Sequence, residues 1–167
     1  LSRDKKKTMM DQNKFLELKN KAKEIFTKNP VVYCPYFDQE VTLNADGFHH
    51  LQFSSRHERN KKEQILKFNL LPLAIKIIRR TGTLQEYRKS VLQIGQKSQR
   101  DGLTLFKQVE YWGFVAIVGD NRPLRVRIIL RRIGDGKIIF WSVMPAMKLS
   151  QDEFEMHKNL AKKGMED

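Results

Sequence analysis

Apolar and polar residues alternate through much of the second half of the chain, and this pattern predicts strands. The alternation covers residues 109–118, 124–133 and 137–144, and a period of two is typical of a strand with one buried face. Residues 119–123 and 134–136 between them are rich in Gly and Asp, which favour tight turns. Short connections of this kind predict an antiparallel β-meander.

Apolar residues with helical spacing mark the first part of the chain. A helix is predicted from Asp11, and its apolar side consists of Phe15, Leu18, Ala22, Ile25 and Phe26. Asn29-Pro30 ends this helix, because the residue before a proline is pushed out of the helical conformation.

A second helical stretch is predicted after the turn at residues 44–47, and it continues to residue 69. It carries His49, His50, Arg56 and His57. Pro72 then restarts a helix, whose apolar stripe covers residues 70–78 and whose C-cap is Gly82.

The remaining segments complete the predicted domain. Residues 31–37 and 40–43 are expected to form short strands, and residues 83–107 a long polar loop with at most one short helix. Residues 1–10 are predicted to be a disordered basic lead-in, 11–148 a single domain, and 149–167 a short C-terminal helix or tail. The fold class is therefore α+β, with N-terminal helices packed on one face of a C-terminal antiparallel meander and the other face free.

Net charge narrows the range of partners. The 167 residues carry a formal charge of +13, and an excess of this size favours phosphate backbones or acidic membranes. No apolar run approaches the roughly 20 residues that a membrane span requires, the first residues are polar and basic, and Cys34 is the only cysteine. These features predict a cytoplasmic protein with neither membrane span nor signal peptide, and nucleic acid as its first partner.

The predicted strand 124–133 has one apolar and one arginine side, and its arginines are Arg125, Arg127 and Arg131. Arginine suits phosphate because its planar guanidinium can donate two parallel hydrogen bonds. We expect this side to be exposed and to contact the nucleic-acid backbone, with Tyr111 and Lys137 as additional contacts from the neighbouring strands.

The register of the last hairpin decides what lies beside these arginines. A three-residue Gly-Asp-Gly loop would pair Ile133 with Lys137 and set Trp141, which could stack a base, near Ile129. A two-residue Asp-Gly turn would shift the pairing by one and bring Ser142, which could contact a phosphate, to the arginine side. The sequence leaves both alternatives open.

Two adjacent histidines are the candidates for proton transfer. His49 and His50 would point in different directions on a helix, and Arg56 would lie close to His49 on one helical face, seven residues further on. Histidine titrates near neutral pH and can act as general acid or base, while arginines stabilise a charged phosphoryl transition state. No known metal-binding or phosphate-loop motif is present, so no metal or cofactor is predicted.

Three segments together resemble a known superfamily: HHLQFSSR at 49–56, LLPLAIKII at 70–78, and RRIGDGKIIFWS at 131–142. Over roughly residues 31–145 the pattern is similar to phage- and toxin-type nucleases of the barnase/EndoU/colicin/RelE-like superfamily. The resemblance implies helices before a four-stranded antiparallel sheet. It also implies metal-independent cleavage of RNA, often tRNA or ribosome-bound mRNA, frequently by a toxin with an antitoxin or immunity protein as partner.

By position, the resemblance implies that His50 is the acid or base, with His49 as the alternative. It implies that Arg56 and Arg131 are the cations that bind phosphate and that Ser142 is the hydroxyl on the last strand, with Tyr111 a weaker candidate.

The same residues are compatible with two other functions. The chain could be a non-catalytic nucleic-acid-binding module, or a phage structural or interaction protein with an acidic partner. The residues do not distinguish RNA from DNA as the target.

Overall fold

The computed structural model describes residues 2–119 and 123–146. The described residues form an α+β fold, the class that the sequence predicted, with three helices and one six-stranded sheet. The helices are α1 (Arg3–Lys28), α2 (Ala45–Gln52) and α3 (Lys61–Arg80). The strands are β1 (Val31–Cys34), β2 (Gln39–Thr42), β3 (Glu86–Ile94), β4 (Leu105–Val118), β5 (Leu124–Ile133) and β6 (Ile139–Pro145).

The sheet has the order β1-β2-β6-β5-β4-β3, and its larger part, β3 to β6, is an antiparallel meander. β2 joins this meander in parallel through a single pair, Thr42 with Ile139. Most of β6 therefore has no strand on its outer side, and α2 lies against β6 instead. The sheet has six strands rather than the four that the family resemblance implied.

The main hydrophobic core lies between the helices and one side of the sheet, as predicted. From β5 it contains Val126, Ile128 and Leu130, which pack with helix residues such as Leu71 and Ile78. Fully burying side chains of this size stabilises the fold by about 1.5–3 kcal/mol each. The opposite side of the sheet is not bare, because it buries a small cluster of Val109, Tyr111 and Ile129.

Helix α1 begins at Arg3, so the segment expected to be a disordered lead-in forms its first turns. The Ser2 hydroxyl accepts a hydrogen bond from the backbone N–H of Lys5, and Asp4 lies in the first turn, where the helix dipole favours negative charge. Residues 3–14 are exposed, and the apolar side of the second half of α1 packs on α3. The spacing of apolar residues predicted a helix only from Asp11, because the exposed first turns of α1 have no apolar side.

The long second helix expected from the sequence is interrupted. α2 ends at Gln52, a short bridge pairs Phe53 with Glu58, and the Asn60 side chain caps α3 by accepting from the N–H of Glu63. Pro72 does not restart a helix but lies inside α3. Proline has no backbone N–H, so α3 lacks one hydrogen bond at Pro72. The helix continues because the burial of apolar residues before and after Pro72 offsets this loss.

The prediction of a long loop at 83–107 is wrong. β3 occupies Glu86–Ile94 and pairs along its whole length with β4, which already begins at Leu105. Half-buried and exposed residues alternate along β3, but many of them are polar, so the alternation is weak in the sequence. The turn between the two strands contains Gly95 and Gly102, both with positive φ.

The short helix or tail predicted at residues 149–167 lies outside the described residues. No helix within the described ranges is both long and apolar enough to cross a membrane.

Candidate functional site

The three predicted arginines share the side of β5 opposite the main core, but their environments differ. Arg125 is exposed, and Arg131 is half-buried. Arg127 is only 7% exposed and forms an ion pair with Glu86 of β3. Glu86 reaches it across β4 at Gly113, where a side chain would crowd the Glu86 Cβ at 3.1 Å. The expectation of an exposed Arg127 is therefore wrong, because Glu86 covers and neutralises it.

Both candidate registers of the last hairpin occur, one after the other. Near the turn Arg131 pairs with Ile139, which is the three-residue-loop register, whereas further along Ile129 pairs with Ser142, which is the shifted register. A β-bulge between the two regions accommodates the change, and Trp141 is the extra residue. As a result Trp141 and Ser142 both belong to the region beside Arg131.

Helix α2 brings His50 to this bulge. The helix approaches β6 so closely that a Cβ on Gly47 would overlap the carbonyl oxygen of Phe140, so glycine is required at this position. His50 is 4% exposed, and its ring stacks on Trp141 with 4.0 Å between centroids and 18° between planes. Of the two candidate histidines, the structure places His50 at the bulge.

His49 and Arg56 lie elsewhere. His49 is exposed and stacks on Phe53 at 4.5 Å. Arg56 is in the 53–60 connection rather than on a helix, and its side chain forms no hydrogen bond or ion pair with the described residues. The expected helical alignment of His49 with Arg56 is therefore wrong, because α2 ends before Arg56.

The arginine that contacts His50 is Arg59, not Arg56. Its Nε donates to the His50 carbonyl oxygen at 3.1 Å, and its terminal nitrogen lies 3.2 Å from the His50 ring Nε2. A guanidinium can only donate, so Nε2 accepts and a neutral ring carries its proton on Nδ1. Burial first, and then the charges of Arg59 and Lys67, lower the pKa of His50 to about 2.

Lys67 is a second functional candidate that sequence reasoning missed. Its Nζ donates to Ser142 Oγ at 2.8 Å and to the Val143 carbonyl oxygen at 3.0 Å. Burial, helped by Arg59, lowers the pKa of Lys67 to about 7, and Glu63 partly opposes this. In the sequence Arg59 and Lys67 belong to a segment, residues 56–80, that is rich in Lys and Arg, and nothing in their spacing links them to β6.

The two candidate aromatic residues, Tyr111 and the half-buried Trp141, both contact Arg131. The Arg131 guanidinium carbon lies 4.1 Å from the centroid of Trp141 and 5.6 Å from that of Tyr111, and Tyr111 is fully buried. The Trp141 ring thus contacts His50 and Arg131, so base stacking on it would require these contacts to open. Burial lowers the pKa of Arg131, while Tyr111 and Asp46 oppose this change.

We call this constellation the bulge site. It consists of His50, Arg59, Lys67, Arg131, Trp141 and Ser142. Within the part of the chain that the structure describes, neither Lys67 nor Arg131 has a carboxylate ion pair, and the buried Nε of Arg131 and Nε1 of Trp141 have no acceptor. Buried cations and donors without partners are costly, and an anion would satisfy them. The site is thus suited to binding an anion.

Two of the predicted nucleic-acid contacts, Arg125 and Lys137, do not belong to the bulge site. Arg125 and Lys137 are exposed and form no ion pair with the described residues. Within the two described ranges, no group of three His, Cys, Asp or Glu side chains could hold a metal ion.

Comparisons with known proteins give no relative: no protein-family model matches this chain, and no curated protein or solved structure shows significant similarity to it. What the chain does is therefore inferred from the bulge site itself.

Proposed function

We propose that this chain is a metal-independent endoribonuclease that binds an RNA phosphodiester at the bulge site. The observation that carries the proposal concerns Lys67, which is buried beside Ser142, and Arg131, which is half-buried on Trp141. Neither has a carboxylate ion pair among the described residues, and Arg131 Nε and Trp141 Nε1 have no acceptor there. Arg125 and Lys137 would extend this positive region to neighbouring phosphates. The tRNA or mRNA target, and an antitoxin or immunity protein as partner, remain predictions of the family resemblance.

In the proposed reaction a base removes the proton of a 2′-hydroxyl, the resulting oxygen attacks the adjacent phosphorus, and the bond to the 5′-oxygen breaks. The products are a 2′,3′-cyclic phosphate and a 5′-hydroxyl, which takes its proton from water or from the protonated base. His50 is neutral at pH 7 because its pKa is about 2 in the free protein, which by itself makes it a weak base. The negative charge of a bound phosphate would raise this pKa toward the range in which a histidine can accept a proton. The His50 Nε2 faces Arg59, and a bound phosphate would draw this guanidinium away and free the lone pair. Arg59 thus takes the role that the family resemblance implied for Arg56.

The remaining residues would stabilise the negative charge that develops on the phosphoryl oxygens. Arg131 supplies a fixed guanidinium, stacked on Trp141. Ser142 would donate its hydroxyl proton to a phosphate oxygen, since the only hydrogen bond that its oxygen forms with the described residues is the one it accepts from Lys67.

A second candidate function is RNA binding without cleavage. It is favoured by one observation, the burial of His50, which is 4% exposed and stacked on Trp141. In this case the contact between Arg59 and His50 would be structural, and bound RNA would stay intact.

The test is incubation of the purified protein with total RNA in EDTA. We expect discrete cleavage by the wild type and its loss in Arg131→Ala, His50→Ala and Arg59→Ala. Arg56→Ala is the matched control, because it removes the same charge from a neighbouring exposed position, and we expect it to retain cleavage.

The other outcomes decide between the candidates. Salt-sensitive binding of RNA that remains intact would favour the non-catalytic module. Absence of both binding and cleavage at low salt would refute both functions. Cleavage that survives Arg131→Ala would show that the reaction does not take place at the bulge site.

A further inference from the structure

The Ser142 hydroxyl has an unusual hydrogen-bonding situation. Ser142 is fully buried, and its Oγ accepts a hydrogen bond of 2.8 Å from Lys67 Nζ. A charged lysine has three donors and no acceptor, so the Ser142 proton cannot point back to it. No described residue accepts this proton. The Ser142 proton is therefore directed away from Lys67 and has no partner within the described protein.

The position of Lys67 Nζ is fixed from two directions. Besides Ser142 Oγ, it donates to the carbonyl oxygen of the next residue, Val143, at 3.0 Å. Its stem comes from the first half of α3, where Gln64 and Phe68 are buried as well. Two acceptors from consecutive β6 residues and a helix anchored in the core leave the ammonium little freedom to move. Lys67 can thus control the orientation of the Ser142 hydroxyl.

We propose that Lys67 is a positioning residue of the bulge site: by donating to Ser142 Oγ, it directs the Ser142 hydroxyl proton toward an oxygen of the bound RNA phosphate. The identity of this anion rests on the proposed function, but the inference does not depend on cleavage. Trp141 Nε1 and Arg131 Nε, which have no acceptor within the described residues, would complete the set of donors.

The protonation of Lys67 determines this orientation. A neutral lysine has a lone pair that can accept the Ser142 proton, and this would withdraw the donor from the phosphate. The charged and titratable groups around Lys67 are Arg59 before α3, Glu63 one turn earlier on α3 and His50 on α2. With the pKa of Lys67 at about 7, RNA affinity should fall as the pH rises above 7.

A double-mutant cycle tests the inference. The probe is a fluorescein-labelled, fully 2′-O-methylated RNA, which cannot be cleaved by 2′-hydroxyl attack, and its binding is measured by anisotropy at constant salt. We expect Lys67→Met and Ser142→Ala each to weaken binding about tenfold, and the double variant to be no weaker than the weaker single variant. Lys62→Met, which removes an exposed lysine of the same helix, is the control for loss of charge alone.

Two results would overturn the inference while leaving RNA binding intact. One is that the losses of the single variants multiply in the double variant, since Lys67 would then act independently of Ser142. The other is that Lys67→Met binds RNA as well as Lys62→Met does. If the wild type bound no RNA, the proposed function itself would fail, and this inference with it.

A pH profile keeps the inference testable if Lys67→Met does not fold. Alanine is close in size to serine, so the Ser142→Ala variant should fold, and it leaves Lys67 in place. We expect the RNA affinity of the wild type to fall between pH 7 and 9, and the affinity of Ser142→Ala to change much less over that range, because it has no hydroxyl to reorient. Parallel pH profiles for these two proteins would overturn the inference.

Discussion

Burial of Lys67 makes the stability of the fold depend on pH in the alkaline range. The Lys67 residue is 7% exposed, and burial lowers its pKa from 10.5 to about 7. In the unfolded chain this lysine regains its ordinary pKa. Between pH 7 and 10.5 the unfolded state therefore binds a proton that the folded state lacks. The free energy of unfolding consequently rises with pH across this range.

The size of the effect follows from the shift. Each pKa unit corresponds to about 1.4 kcal/mol, so the cost of burying Lys67 reaches about 5 kcal/mol below pH 7 and vanishes above pH 10.5. Lys67→Met has no such cost but leaves Ser142 Oγ and the Val143 carbonyl oxygen without their donor, at about 1–3 kcal/mol each. The second loss does not depend on pH, so the pH dependence isolates the protonation of Lys67.

Urea unfolding between pH 7 and pH 10 measures this effect. We expect the difference in unfolding free energy between the wild type and Lys67→Met to move by about 3 kcal/mol in favour of the wild type from the lower to the higher pH. Lys62→Met, at an exposed position of the same helix, should run parallel to the wild type. If Lys67→Met also ran parallel, the lysine would keep an ordinary pKa in the folded state, and the argument from burial would be refuted.

Two further predictions concern α2 and its contact with β6. Gly47→Ala should lower the unfolding free energy by about 1–3 kcal/mol, although alanine usually favours helices, because the new Cβ would overlap a β6 carbonyl oxygen. Gly82→Ala, where a Cβ meets nothing within 4 Å, should be neutral or stabilising in the same urea titration. The pKa of His50 is lowered from 6.5 to about 2, so the unfolded state binds a proton first and stability falls by about 1.4 kcal/mol per pH unit as the pH drops through this range. Acid unfolding of His50→Leu should lack this component, and an unchanged acid profile would contradict the burial of a neutral imidazole.

The parts of the site that the sequence predicted are those that local periodicity determines. The common side of Arg125, Arg127 and Arg131 follows from the alternation of a strand, and Val126 and Ile128 lie on the core side as expected. The hairpin register was left open between two alternatives for a physical reason. The β-bulge at Trp141 uses one register near the turn and the other beyond it, so neither turn type alone describes the strand.

The residues that the sequence did not predict reach the site from other elements. Lys67 meets Ser142 across 75 positions, and Arg59 meets His50 across 9 positions that include the end of a helix. Neither contact has a period or a motif, since each depends on how α2 and α3 pack against the edge of β6. The ion pair of Arg127 with Glu86 was not predicted either, because Glu86 lies on β3, which the sequence did not indicate as a strand.

Stability and proposed function make opposite demands on the bulge site. The three cations Arg59, Lys67 and Arg131 lie around the buried Ser142 and the half-buried Trp141, and the pKa values of Lys67 and Arg131 are lowered mainly by burial. An apolar side chain at Lys67 would fill the same space without this cost. A carboxylate beside Arg131 would neutralise it, as Glu86 neutralises Arg127 two positions earlier on the same strand. Arg127 thus belongs to a structural ion pair, whereas Arg131 has no carboxylate partner among the described residues. A bound phosphate would supply the missing charge, so the features that make the site costly in the free protein are those that would bind RNA.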